Sequence, residues 1–307
     1  MAGEYFSFFL IAVVGVVARQ SIGKTIDPDA LRQAVNTVVL YILVPAFLLT
    51  AIWSLDGEAI DWQAPALLGA GILGTLFVGM FAFGFFKLDQ RTKGALILSC
   101  AFANVACFGT PLVANYFSLG DGRGLLLIGG SMTASTVVAG SVLAGWYGAA
   151  GRNSFAFVRS VGALLRLPPV WALVAGLGLR YYEVSIPYWV RDGAGLLAAG
   201  ITGLLILSVG LALRLPKGDE IWPILPAVAT KLVVPPLLVF FLLKALGGGF
   251  ESDLGPTVVM AGALPTQLLV LALADRFKLD CAIVALVVVA STALSFWTIP
   301  FIHGLLY

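Results

Sequence analysis

Residues 101–112 read Ala101-Phe102-Ala103-Asn104-Val105-Ala106-Cys107-Phe108-Gly109-Thr110-Pro111-Leu112, setting a proline and an amide inside an apolar run of membrane-spanning length. A second run has the same character: Met260-Ala261-Gly262-Ala263-Leu264-Pro265-Thr266-Gln267-Leu268. A proline inside a helix removes one backbone hydrogen bond and clashes with the preceding turn. In lipid the freed carbonyls need partners, so such breaks survive only inside protein or beside a wet cavity. Matching breaks in the two halves of a chain point to a transporter's binding site.

The surrounding sequence is built for a bilayer. The 307 residues are 60% hydrophobic and 11% charged, too little charge for the surface of a soluble domain. Apolar runs predict ten spans, at roughly 5–22, 30–53, 64–86, 94–118, 124–149, 167–182, 194–213, 223–246, 255–275 and 280–302. The two proline-broken runs are the fourth and ninth. Pro168 and Pro169 open the short sixth span, a position proline favours. No cleavable signal peptide is expected, because Glu4 is the sole early charge and no basic stretch precedes the first run.

The cations fix a topology. Loops after odd spans carry thirteen Lys and Arg, and loops after even spans carry Arg123, Arg180, Arg191 and Lys244. That bias places the odd loops in the cytoplasm and both termini outside. Five spans per half then give halves of opposite orientation, 1–150 and 167–307. The linker 151–166 joins them, with Arg152, Arg159 and Arg166 among Phe155, Phe157, Val158, Val161 and Leu164, an amphipathic stretch suited to a membrane surface. The expected fold is all-α and polytopic, with ten transmembrane helices in two inverted five-helix repeats.

Broken helices also supply chemistry. Backbone N–H groups opening the second half of each break carry partial positive charge and suit a carboxylate. The candidate substrate-binding residues are Asn104, Gly109, Thr110 and Pro111 in the fourth span, and Leu264, Pro265, Thr266 and Gln267 in the ninth. Pro45 in the second span joins them. Neutral amides hold an anion without trapping it. Lys231, within the eighth span, reads either as an anion contact or as a side chain snorkelling to the interface. Asp275 and Asp280 are expected to form an ion-pair cluster with Arg276 and Lys278. The small polar face of span five, Ser131, Thr133, Ser135 and Thr136, reads as helix packing, with cavity lining by Ser135 or Thr136 as the alternative. Cys100, Cys107 and Cys281 read as buried small residues.

The segment Asn104 to Leu112 resembles the Asn-x-x-x-x-Gly-x-Pro-Leu segment of bacterial members of the auxin efflux carrier family. Ala263-Leu264-Pro265-Thr266-Gln267 with Ala274-Asp275-Arg276-Phe277 is similar to that family's ninth-helix segment, and Leu43-Val44-Pro45-Ala46 to its second-helix proline. Ile201-Thr202-Gly203 stands where many members carry a proline. The resemblance implies a bacterial inner-membrane protein with a scaffold of spans 1, 2, 6 and 7. Its transport unit would be spans 3–5 and 8–10, with the two broken helices crossing at mid-membrane. It further implies a small organic anion as substrate, auxin-like or a mono- or dicarboxylate, proton or sodium coupling, a homodimer, and a fold related to the bile acid sodium symporters.

The expected function is therefore a secondary transporter working by alternating access. An uncoupled channel or facilitator is the alternative, and a membrane-embedded enzyme a poorer one. A single histidine, His303, and no mid-membrane carboxylate leave little for catalysis. No cofactor, metal or nucleic-acid partner is expected.

Overall fold

The computed structural model describes residues 2–22, 26–53, 63–105, 123–148, 156–214, 222–246 and 254–306. Among these, every regular element is a helix, apart from one isolated β-bridge. In chain order they are α1 (Ala2–Ile22), α2 (Pro28–Trp53), α3 (Gln63–Gly84), α4 (Gln90–Ala101) and α5 (Arg123–Ser135, continuing through Thr136–Gly140 and Ser141–Tyr147). There follow α6 (Ala156–Leu164), α7 (Pro168–Tyr181), α8 (Tyr188–Ala212), α9 (Ile224–Ala245), α10 (Leu254–Ala263), α11 (Leu269–Arg276) and α12 (Cys281–Leu306).

Among the described residues, seven helices are long and apolar enough to cross a membrane: α1, α2, α3, α5, α8, α9 and α12. An eighth crossing arises if α6 and α7 count together across their 61° bend. α7 alone has 14 residues, about 21 Å against the ~30 Å of a hydrocarbon core. The predicted fourth and ninth spans are not continuous helices. α4 stops at Ala101, and the ninth run is divided into α10 and α11.

Burial follows the logic of a lipid solvent. Leu73, Phe77, Phe81 and Phe85 form an exposed stripe at i, i+4 spacing along α3, while Thr75, Ser99, Ser208, Ser291, Thr292 and Ser295 are fully buried. Polar groups are gathered inside, and apolar groups face outward. Thr75 and Ser99 each donate to the carbonyl four residues back, so neither hydroxyl is stranded.

Local signals explain the helix shapes. α2 starts where Asp27 accepts from the Asp29 amide at 3.0 Å, with Pro28 at the first helical position. Pro45 cannot donate and crowds the turn before it. That turn, Val39–Leu43, is widened to i→i+5 bonding, and the Val44 amide reaches back to the Val39 carbonyl.

α1, α2, α7 and α8 pack on one another; α3, α4, α9, α10 and α12 form a second packed group. The tightest approach in the first group is between α1 and α8. A Cβ at Gly210 would lie 2.2 Å from the Ala12 carbonyl oxygen, and one at Gly15 would lie 2.5 Å from that of Leu207. Gly210→Val is therefore expected to lower stability by about 1–3 kcal/mol or more through overpacking against backbone. Thermal unfolding in detergent checks this; an unchanged transition would mean the two helices are not in close contact.

Candidate functional site

The two interrupted helices meet backbone to backbone. After α4 the chain turns extended at Phe102, and Ala103 pairs with Thr266 in an antiparallel bridge. The Asn104 amide donates to the Pro265 carbonyl at 2.9 Å, and the Gln267 amide donates to the Phe102 carbonyl at 3.0 Å. Each break thus satisfies polar groups exposed by the other, which is what a non-helical backbone buried in an apolar medium requires. Side chains add to the joint. The Thr266 hydroxyl donates to the Ser99 carbonyl at the end of α4 (2.8 Å), and the Thr266 amide donates to Ser291 Oγ on α12 (3.1 Å).

Beside this crossing lies a cavity of about 160 Å³. One wall comes from α2 and α8, through Val44, Phe47, Ala198, Ile201, Thr202 and Leu205. The opposite wall carries Asn104, Thr133 and Gln267. Asn104 is only 1% exposed, and its Nδ2 has no hydrogen-bond partner among the described residues. The Gln267 carbonyl oxygen accepts from the Thr136 hydroxyl, which also reaches the Met132 carbonyl at 2.8 Å. Gln267 therefore keeps its NH₂ available. The cavity offers two neutral amide donors on an otherwise largely apolar surface, with no charged side chain among the described residues of its lining.

Sequence reasoning located part of this arrangement. Of the candidate substrate-binding residues, Asn104 and Gln267 line the cavity. Leu264, Pro265 and Thr266 are buried in the joint and do not line it. Pro45 is likewise absent from the lining; it shapes the turn that presents Val44 and Phe47. Gly109, Thr110, Pro111 and Cys107 lie outside the described residues. The break in the fourth span begins at Phe102, well ahead of Pro111. Ile201 and Thr202, where the family resemblance expects a proline, form part of the cavity wall. Thr133 and Thr136 belong to the site, whereas Ser135 borders a separate groove against α3.

Lys231 takes neither of its expected roles. It is fully buried, so it does not snorkel, and it is not in the cavity lining. Its Nζ donates to the Gly262 carbonyl at 3.1 Å, at the carbonyl end of α10. Gly262 packs on Pro235 and Pro236 of α9, where a Cβ would lie 3.2 Å from the Pro236 nitrogen.

The partner of Asp275 is also a correction. It pairs with Arg32 of α2 rather than with Arg276 or Lys278, because α11 packs directly on the start of α2. Arg32 Nη2 donates to Asp275 Oδ1 at 3.1 Å, Arg32 Nε to Oδ2 at 3.4 Å, and Asn36 Nδ2 to Oδ2 at 2.8 Å. Ser208 of α8 holds the Asn36 carbonyl oxygen at 2.7 Å. Asp29 receives Arg32 at 2.8 Å and Arg214 at 2.6 Å. Arg276 Nε donates instead to the Tyr41 hydroxyl at 3.0 Å. Arg32, Asn36 and Ser208 were missed. The available signal was the polar stripe Asp29, Arg32, Asn36 at i, i+3, i+7 on an otherwise apolar span.

No curated protein matches the chain. The model of the membrane transport protein family matches residues 3–145 and again 156–303, nearly the whole chain. By that match the chain belongs to the membrane transport protein family, the family of the auxin efflux carriers.

Proposed function

We propose that this protein is a secondary transporter that moves a small organic anion by alternating access, through ten spans arranged as two inverted five-helix halves. The observation that carries the reading is the Asn104 amide, buried at the crossing of two broken helices with a donor and no acceptor. A buried donor left unpaired costs about 1–3 kcal/mol, and an incoming carboxylate oxygen supplies the missing acceptor. Gln267 supplies a second donor on the same wall. A cavity of about 160 Å³ is well below the ~300–1,000 Å³ of sites for drug-sized ligands, which favours a mono- or dicarboxylate of a few carbons.

The origin of the cavity walls supports alternating access. The apolar wall belongs to the packed group of α1, α2, α7 and α8, read as the scaffold; the donor wall belongs to the broken helices and α5, read as the moving unit. Sliding one against the other would carry the donors between the two sides of the membrane. The Arg32–Asp275 pair joins the same two groups at the basic end of the bundle, and the charge bias supports assigning that end to the cytoplasm.

Uptake of labelled three- and four-carbon carboxylates into proteoliposomes tests the reading. Saturable uptake that responds to a proton or sodium gradient is expected. Flux that rises linearly with concentration and ignores both gradients would overturn the carrier in favour of an uncoupled facilitator.

A further inference from the structure

Away from the crossing, a second cavity of about 210 Å³ opens at the basic end of the bundle. It is bounded by Gly145 of α5, by Arg159 and Ser160 of α6, and by Arg276, Phe277 and Lys278 in the turn after α11. Three cations converge here, and among the described residues no carboxylate is in the lining. On the same face three other cations are neutralised internally: Arg19, Arg32 and Arg214 share Asp29 and Asp275. Arg159 and Lys278 make no ion pair or side-chain hydrogen bond among the described residues. Among the described residues, the hydrogen bond and ring contact of Arg276 are with neutral groups, the Tyr41 hydroxyl at 3.0 Å and the Phe277 ring 5.8 Å away.

The pocket is built rather than incidental. α11 ends with the Leu279 amide donating to the Ala274 carbonyl at 2.8 Å and the Lys278 amide to the Asp275 carbonyl at 3.3 Å. This is a Schellman turn, whose left-handed position is usually glycine. Here Lys278 occupies it, at φ 60°. Glycines elsewhere let the walls close: a Cβ at Gly148 would lie 2.2 Å from the Phe277 carbonyl oxygen, and one at Gly145 would lie 2.7 Å from Ser160 Oγ. A lysine is kept where the backbone favours glycine, and it lines a pocket of unneutralised charge.

We infer that this pocket binds the phosphate of an anionic phospholipid, with Arg159, Arg276 and Lys278 holding the headgroup. Phosphate oxygens are the acceptors such a cluster lacks, and basic pockets at the ends of membrane helices suit anionic headgroups. A lipid is favoured over soluble phosphate because Phe157 and Val158, beside Arg159 on α6, are 55% and 66% exposed. They offer an apolar surface to acyl chains on the same helix. A bound lipid would bridge α6, which leads into α7, to the end of the broken ninth run.

The test uses the full chain purified in detergent. Native mass spectrometry with equimolar phosphatidylglycerol and phosphatidylcholine should show selective retention of phosphatidylglycerol. In Arg159→Gln/Lys278→Gly that selectivity should fall by about tenfold or more. The glycine relieves a left-handed lysine, so loss of binding will not reflect loss of fold. Equal retention of both lipids, or unchanged selectivity in the double variant, overturns the inference. A thermal-shift arm compares short-chain phosphatidylglycerol with inorganic phosphate. Stabilisation by the lipid alone supports the assignment; equal stabilisation by inorganic phosphate overturns it in favour of a soluble anion.

Discussion

Asn104→Leu is expected to cut carboxylate transport by about 10- to 150-fold while leaving the protein as stable as the parent or more so. The transport loss comes from one hydrogen bond to a charged group, worth about 1.5–3 kcal/mol, at ~1.4 kcal/mol per tenfold. The stability gain comes from removing a buried Nδ2 that has no acceptor. Leucine is close in volume, and the Asn104 backbone bond to Pro265 does not depend on the side chain. Gln267→Leu should behave similarly, since Thr136 retains its bond to the Met132 carbonyl. Proteoliposome uptake and thermal unfolding of the same preparations check both halves. A residue whose removal stabilises the fold and abolishes transport serves the ligand. If Asn104→Leu transports normally, the binding site lies elsewhere, even if the protein is a carrier.

Arg32→Ala is expected to destabilise the protein by about 3–5 kcal/mol, the cost of stranding one member of a buried ion pair. The side chains of Arg32 and Asp275 are 9% and 6% exposed, so water does little to compensate, and the groups left on the carboxylate, the Asn36 amide and the Cys281 thiol, are neutral. The double variant Arg32→Met/Asp275→Leu should recover most of the loss, because neither charge is then stranded. Denaturation of the four proteins in one detergent measures the coupling. Near-additive effects would show that the pair is solvated in the dominant conformation and does not hold α11 to α2.

Much of the membrane architecture was legible because it depends on composition and on proline, both of which act locally. Pro168 and Pro169 announced the short α7, and the proline beside an amide marked each interrupted run. The exact point of the first interruption was not legible. α4 ends at Ala101 because the backbone of residues 102–104 pairs with Pro265 and Gln267, and no local rule encodes a partner so distant in sequence. Arg32 and Asp275 looked like ordinary loop charges for the same reason; only the packing of α11 on α2 buries them together. Thr136 looked like helix packing because a threonine bonded to its own helix and one bonded across to Gln267 are identical in sequence. Lys231 was undecided between two surroundings and has a third, the carbonyl end of α10.

The joint at Ala103 and Thr266 has an evolutionary consequence. Its two cross-bonds, from Asn104 to Pro265 and from Gln267 to Phe102, run between main-chain atoms. Exchange of a side chain at any of these positions leaves them in place, unless the newcomer is a proline at 104 or 267, which has no N–H to give. The amides that face the cavity can therefore drift while the hinge beneath them persists. On the proposed function, ligand preference and framework are separable at this crossing, so a lineage could change its cargo without rebuilding the machine that carries it.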